Sequence, residues 1–152
     1  MDLKKEKYIK IILYIISRCT HKENLGKTVI SVLLYFIDFN YYERYGKFLT
    51  QETYIKSKKG IKPKHFQEIS EELIARKQLF LRRESYYHRT IHRYYLIIIP
   101  TVQFTKREHE IIDSTISKLV DSNAHAITKH VKNNPPVIKT EFGENINYTS
   151  NK

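Results

Sequence analysis

The chain has no tryptophan, one cysteine, one methionine, four glycines and four prolines among its 152 residues. Each scarcity removes a class of answer. A lone Cys19 closes no internal disulfide, so a reducing cytoplasm is the expected setting. Four glycines leave little room for a phosphate-cradling loop, and neither a glycine-rich phosphate motif nor a nucleophile elbow occurs. No apolar run approaches the ~18 residues of a membrane span. The nearest, residues 9–16, is broken by Lys10, so no membrane partner is expected. The basic N-terminus lacks a small-residue cleavage site after an apolar stretch, which argues against a secretion signal. With few chain breakers and 41% hydrophobic residues, the composition is that of a folded protein. The length suits a single domain, residues 1–152, with a real core.

Positive charge is what the chain has in excess, a formal +11 at pH 7. It is unevenly spread: residues 1–100 carry 20 Lys/Arg against 10 Asp/Glu, and residues 101–152 carry 7 against 6. A basic half suits a nucleic acid or an acidic protein. Evenly scattered lysines also solvate a surface without recognising anything.

Apolar spacing predicts a mostly helical α+β domain of about five helices and one β-hairpin. Residues 3–19 form a first helix, with Ile9, Ile12, Leu13 and Ile16 on one face and Tyr8, Ile11 and Ile15 widening the stripe. Residues 20–26 read as a polar connection with Gly26 at a turn. A second helix, from Thr28 to about Tyr42, has a core stripe of Val29, Val32, Leu33, Phe36 and Ile37; being apolar on most sides, it belongs at the centre. Gly46 ends it. Residues 49–59 read either as a helical turn started at Thr50 and Thr53 or as a short strand at Thr53, Tyr54 and Ile55. Pro63 fits the first turn of a third helix over residues 64–77, where its missing N–H costs nothing. That helix brings Phe66, Ile69, Leu73 and Ile74 inward.

Two runs of strand composition, around Leu79 and from Arg93 to Ile99, predict a hairpin over residues 79–99 with a longish polar loop across residues 84–92. Thr105 and Glu108 have capping-box spacing, and Ile112, Ile116, Leu119 and Val120 follow at helical intervals. A shorter helix starts at Ser122 or Asn123, carries Ile127, His130 and Val131 on one face, and stops at Asn133 and Asn134 before two prolines. The tail from Val137 is expected to be extended, anchored by Phe142, Ile146 and Tyr148, with its final residues frayed. The expected core is Leu33, Phe36, Ile37, Phe66, Leu73, Ile112, Ile116 and Leu119.

Seven histidines invite a metal reading, but neither His88 with His92 nor His125 with His130 has Cys or carboxylate partners at ligand spacing. Glu71 and Glu72 are adjacent on a helix and not on one face, so they make no acid/base pair. Neither catalytic residues, a metal nor a cofactor is expected. The site with the strongest chemistry is the basic hairpin, where Arg76, Lys77, Arg82, Arg83, Arg89 and Arg93 interleave with Tyr86, Tyr87, Tyr94 and Tyr95; Arg and Tyr are enriched at binding hot spots. The bland alternative is an exposed sheet whose alternate residues face water. Tyr41, Tyr42 and Tyr45 form a second candidate patch, which suits core-edge packing as well as a partner.

Several stretches together resemble the Panacea domain family, which includes SocA-type antitoxins and phage-associated relatives. The stretches are the helix with Leu33, Leu34 and Tyr35, then Gly46, Thr50 and Tyr54, and a corner at Gly60 with its proline displaced to Pro63. Next come Phe104 to Glu108 with Ile111, Ile112 and Asp113, and a closing set of His130, Pro136, Gly143, Glu144, Ile146 and Tyr148. The sequence departs from the family pattern at Val32, Ile61 and Val137. The resemblance covers residues 17–148 and implies an antitoxin that neutralises a cognate protein toxin, encoded by a neighbouring gene, through direct contact. The competing class is a winged-helix DNA-binding regulator, favoured by the helix-then-basic-hairpin order. Glu68, Glu71 and Glu72 on its would-be recognition helix have the wrong sign for phosphates.

Overall fold

The computed structural model describes residues 2–19 and 25–149; residues 20–24 of the expected polar connection, and residues 150–152, where fraying was expected, lie outside them. The element order is α1 (Lys5–Arg18), α2 (Lys27–Tyr45), β1 (Tyr54–Ser57), β2 (Gly60–Pro63), α3 (Phe66–Ala75), β3 (Leu79–Tyr86), β4 (Arg89–Leu96), α4 (Lys106–Leu119), α5 (Ala124–Lys132) and α6 (Pro135–Ile138). The mostly helical α+β class is thus observed.

α2 is the axis of the molecule. Every residue from 29 to 38 is buried, because α1, α4, α5, β2 and β4 all pack on it. This is the all-round apolar helix that the composition requires to sit inside. It stops where Gly46 takes a left-handed φ of 67° and donates its N–H to the Tyr42 carbonyl, a conformation that disfavours any residue with a Cβ. All eight expected core residues are buried. α4 begins with the expected capping box, in which Thr105 accepts from the Glu108 N–H and the Glu108 carboxylate accepts from the Thr105 N–H.

A buried polar knot ties the segment after α2 to its axis. Asp38, with no exposed surface, accepts from the Thr50 N–H (3.1 Å), the Thr50 hydroxyl (2.7 Å) and the Tyr54 hydroxyl. Burial pushes its carboxyl up to about 6, and the bonds from Tyr54 and Thr50 only partly offset this. Beside it, buried Glu52 accepts from the Thr53 N–H (2.8 Å) and the His65 N–H (3.0 Å), and the His65 ring Nδ1 lies 2.6 Å away. Burial and the nearby Glu52 and Asp38 charges keep the Tyr8 hydroxyl protonated. These bonds satisfy carboxylates that would otherwise be costly inside a protein.

The structure corrects the expected outline in several places. There are two hairpins, not one. Residues 54–63 form β1 and β2, paired from Tyr54↔Pro63 to Ser57↔Gly60, so Pro63 ends a strand and α3 starts only at Phe66. The longish loop of the second hairpin is a two-residue turn, Tyr87 and His88, both with positive φ (47° and 64°). Residues 97–99 lie beyond β4. The two prolines after α5 open the one-turn α6, which buries Pro136 and Val137. Ile146 and Tyr148 are buried anchors as expected, whereas Phe142 is 63% exposed, with the Lys56 ammonium 4.9 Å from its ring.

Candidate functional site

The β3–β4 hairpin stands on a short, well-defined foot. α3 closes with the Gln78 N–H on the Leu73 carbonyl (2.9 Å) and the Lys77 N–H on the Ile74 carbonyl (3.0 Å). Lys77 takes the left-handed φ of 59° that such an ending requires. This turns the chain into β3, whose register runs from Leu79↔Leu96 to Tyr86↔Arg89 without a bulge.

Strand alternation divides the hairpin into two faces. On one face, buried Leu79 and Tyr94 seat it on the core, Tyr94 meeting the Phe66 ring edge-on at 5.6 Å. Further out that face carries exposed Leu81, Arg83 and His92. The other face carries Phe80, Arg82, Glu84, Arg93 and Tyr95. There Phe80 stacks on Tyr95 (5.0 Å between centroids, 12° between planes), and the Arg93 guanidinium lies 5.1 Å from the Tyr95 ring. The Tyr95 hydroxyl donates to Glu84, which Arg93 approaches to 3.8 Å. That bond to Glu84 is the main cause of a raised Tyr95 pKa.

The candidate residues therefore play different parts. Arg82 and Arg83 are exposed, and Tyr87 at the tip is 81% exposed. Arg93 is largely covered, its side chain only 14% exposed, and it holds the Glu84 and Tyr95 lattice. The side chains of Tyr86 and Arg89 lie outside what the structure describes. Sequence reasoning missed the apolar rim: Phe80, Leu81, and above all Ile97, Ile98 and Ile99, exposed by 50%, 59% and 86%. One signal was available. A continuous apolar run feeding a two-stranded hairpin cannot bury both of its faces in so thin a sheet.

The tyrosine patch is a separate place. Tyr41 and Tyr45 pack on each other at 4.9 Å, and the Arg107 guanidinium covers Tyr45 at 5.2 Å. Tyr42 is wedged between Phe48 and Tyr148. The hairpin meets α2 near its start, where Gly26 bridges Arg93. At 1.5 Å per residue, Tyr41 lies roughly 22 Å further along that axis. All three tyrosines are half-buried.

Other groups are more dispersed. A shallow cleft of about 400 Å³ between α2, α4 and α5 has Phe36, Lys118 and His130 on its walls. Among the described residues no three His, Cys, Asp or Glu side chains come together in a way that could hold a metal ion, and no helix is long and apolar enough to cross a membrane. On α3, Glu68 and Glu71 are exposed, while Glu72 bonds Lys5 at 2.8 Å.

The class defined by these features is a small, mostly helical α+β domain that presents a basic, aromatic-faced hairpin to solvent. The chain belongs to the family described as antitoxin SocA-like, Panacea domain, whose model matches residues 33–136. The match runs from the middle of α2 into α6 and includes both hairpins. No curated protein and no solved structure matches the chain.

Proposed function

We propose that this chain is an antitoxin that neutralises a cognate protein toxin, encoded by a neighbouring gene, by direct binding without turnover or cofactor. The observation that carries the reading is membership of the SocA-like antitoxin family across residues 33–136. The hairpin supports it as the contact surface: exposed arginines beside exposed aromatic and aliphatic side chains are the chemistry of an interface hot spot. Guanidinium groups recognise carboxylates on a partner through paired hydrogen bonds, and the +11 net charge steers an acidic partner toward the surface.

Co-expression with the adjacent gene product tests the reading. The wild-type chain is expected to restore growth and to co-purify with that product. Arg82→Ser with Arg83→Ser should weaken rescue while leaving the fold intact; Arg93 is left in place because it braces Glu84 and Tyr95. Failure of the wild-type chain both to rescue and to form a complex would defeat the antitoxin reading for that pair. Electrophoretic titration with duplex DNA at two salt concentrations addresses the competing class. A sequence-specific complex at physiological salt would replace the antitoxin by a DNA-binding regulator, whereas weak, steeply salt-dependent binding is phosphate contact alone.

A further inference from the structure

β1 and β2 have their outer edges covered, and β4 is bridged at one point. β1 is covered by the C-terminal segment: the Lys56 N–H donates to Glu144 (3.0 Å), the Gly143 N–H to Lys56 (2.8 Å) and the Ile146 N–H to Tyr54 (2.7 Å). β2 lies against α2 and α5 with most of its residues buried. β4 takes the bridge from Gly26 at Arg93. Along β3 no further strand or bridge is present among the described residues, and residues 80–83 and 85 are exposed.

The register says which main-chain groups this edge offers. A two-residue turn closes on a hydrogen-bonded pair, here Tyr86↔Arg89, and bonded and non-bonded pairs then alternate. The Ile97 N–H bond to the Gln78 carbonyl (2.9 Å) continues that phase past Leu79. The even-numbered residues of β3 are therefore spent on β4. The N–H and C=O groups of Leu81, Arg83 and Ser85 point away from it. An unpaired edge of this length, with neither bulge nor proline, is a template for another strand.

Building on the antitoxin reading, we propose that the partner protein docks by adding an acidic β-strand to the outer edge of β3, taking main-chain hydrogen bonds from Leu81, Arg83 and Ser85 and placing carboxylates against Arg82 and Arg83. A second copy of this chain is the wrong occupant. Antiparallel pairing of β3 with itself sets Arg82 against Arg82 or Arg83 against Arg83, and like charges on facing strands repel; the second register also faces Arg82 with Glu84, but that carboxylate is already held by Tyr95 and Arg93. A carboxylate-bearing strand reverses the sign of that term. In such strand addition the main chain supplies affinity and alternate side chains supply specificity. The exposed Leu81 and Phe80 would cover the apolar positions of the incoming strand.

Amide hydrogen exchange on the wild-type chain, alone and in complex with the adjacent gene product, tests this. In the free chain the Leu81, Arg83 and Ser85 amides should exchange faster than those of Arg82 and Glu84, which are already paired. In the complex the first three should slow by on the order of tenfold or more. An Arg83→Pro variant removes one outward N–H while leaving the β4 ladder intact, a placement proline tolerates on an edge. It should bind roughly tenfold more weakly than Arg83→Ala, the loss of about one hydrogen bond, at an unchanged melting temperature. If a complex forms and the three amides keep their free-state rates, strand addition is overturned while the antitoxin reading stands. If Arg83→Pro fails to fold, the exchange measurement alone decides. If no complex forms, both fall.

Discussion

α2 and the β3–β4 hairpin use similar residues to opposite ends. Phe36 and Ile37 are buried in α2, whereas Phe80 and Ile99 are exposed in or just beyond the hairpin. The difference lies in the number of layers around each element. α2 is enclosed by α1, α4, α5, β2 and β4. The hairpin is one two-stranded layer seated on the core through the base of one face. Apolar character opens the possibility of burial, and neighbours decide whether it happens. In this chain the first region organises the core, and the second leaves basic and apolar side chains exposed.

The contrast can be broken most strongly from inside. Leu33→Ala should destabilise the fold by about 2–5 kcal/mol, because α2 has no room to collapse around the missing atoms; chemical denaturation measures it. A loss well under a kilocalorie would contradict the enclosure of α2. The next effect is a pH dependence located at Asp38. Burial raises its carboxyl from an ordinary 3.8 to about 6, so between these values the native state holds more protons than the unfolded chain. Its contribution to stability therefore declines as pH rises from about 4 to about 6, by roughly 3 kcal/mol in all. Asp38→Asn should remove that decline. The comparison of wild type with this variant isolates it from Glu108, whose carboxyl is lowered because bonds from Lys7 and Thr105 outweigh the opposing effect of burial and which therefore titrates in the opposite sense.

The smaller effects belong to the hairpin. Its turn holds Tyr87 and His88 at positive φ, where asparagine and glycine are preferred. Tyr87→Asn with His88→Gly should stabilise the fold by about 1 kcal/mol, readable as a raised melting temperature. Phe80→Ser should cost about 1 kcal/mol through the lost stack on Tyr95, and Ile98→Ser, at an exposed position, less than about 0.5 kcal/mol, while both lower affinity for the partner. A large loss of stability from Ile98→Ser would show that the exposed rim serves the fold.

Helical spacing made much of this architecture legible. α1, α2 and α4 occur close to their expected places, and the Thr105 box and the Gly46 stop act at the termini where they were read. The missed elements have identifiable causes. β1 was legible only as one of two readings and β2 not at all, because each is four residues long, too short to establish a period-2 pattern, and Pro63 serves a strand end as well as it serves a helix start. The tight turn was hidden because Tyr87 and His88 carry none of the usual glycine signal. The arginines were visible as a cluster, but not their division of labour: only packing sets Arg93 against Tyr95 and Glu84 and leaves Arg82 and Arg83 in water.

What the sequence by itself determined is the set of local preferences: which segments are helical, where they are capped, that α2 must lie inside, and that the chain is strongly basic. These follow from interactions within a few residues and from summed charge. The tertiary structure alone decided which strand edges are covered, which isoleucines are left outside, and where Asp38, Thr50 and Tyr54 meet. Those outcomes depend on contacts between residues far apart in the chain, such as residues 143–146 laid along β1 and Gly26 set against Arg93, and no local pattern encodes them.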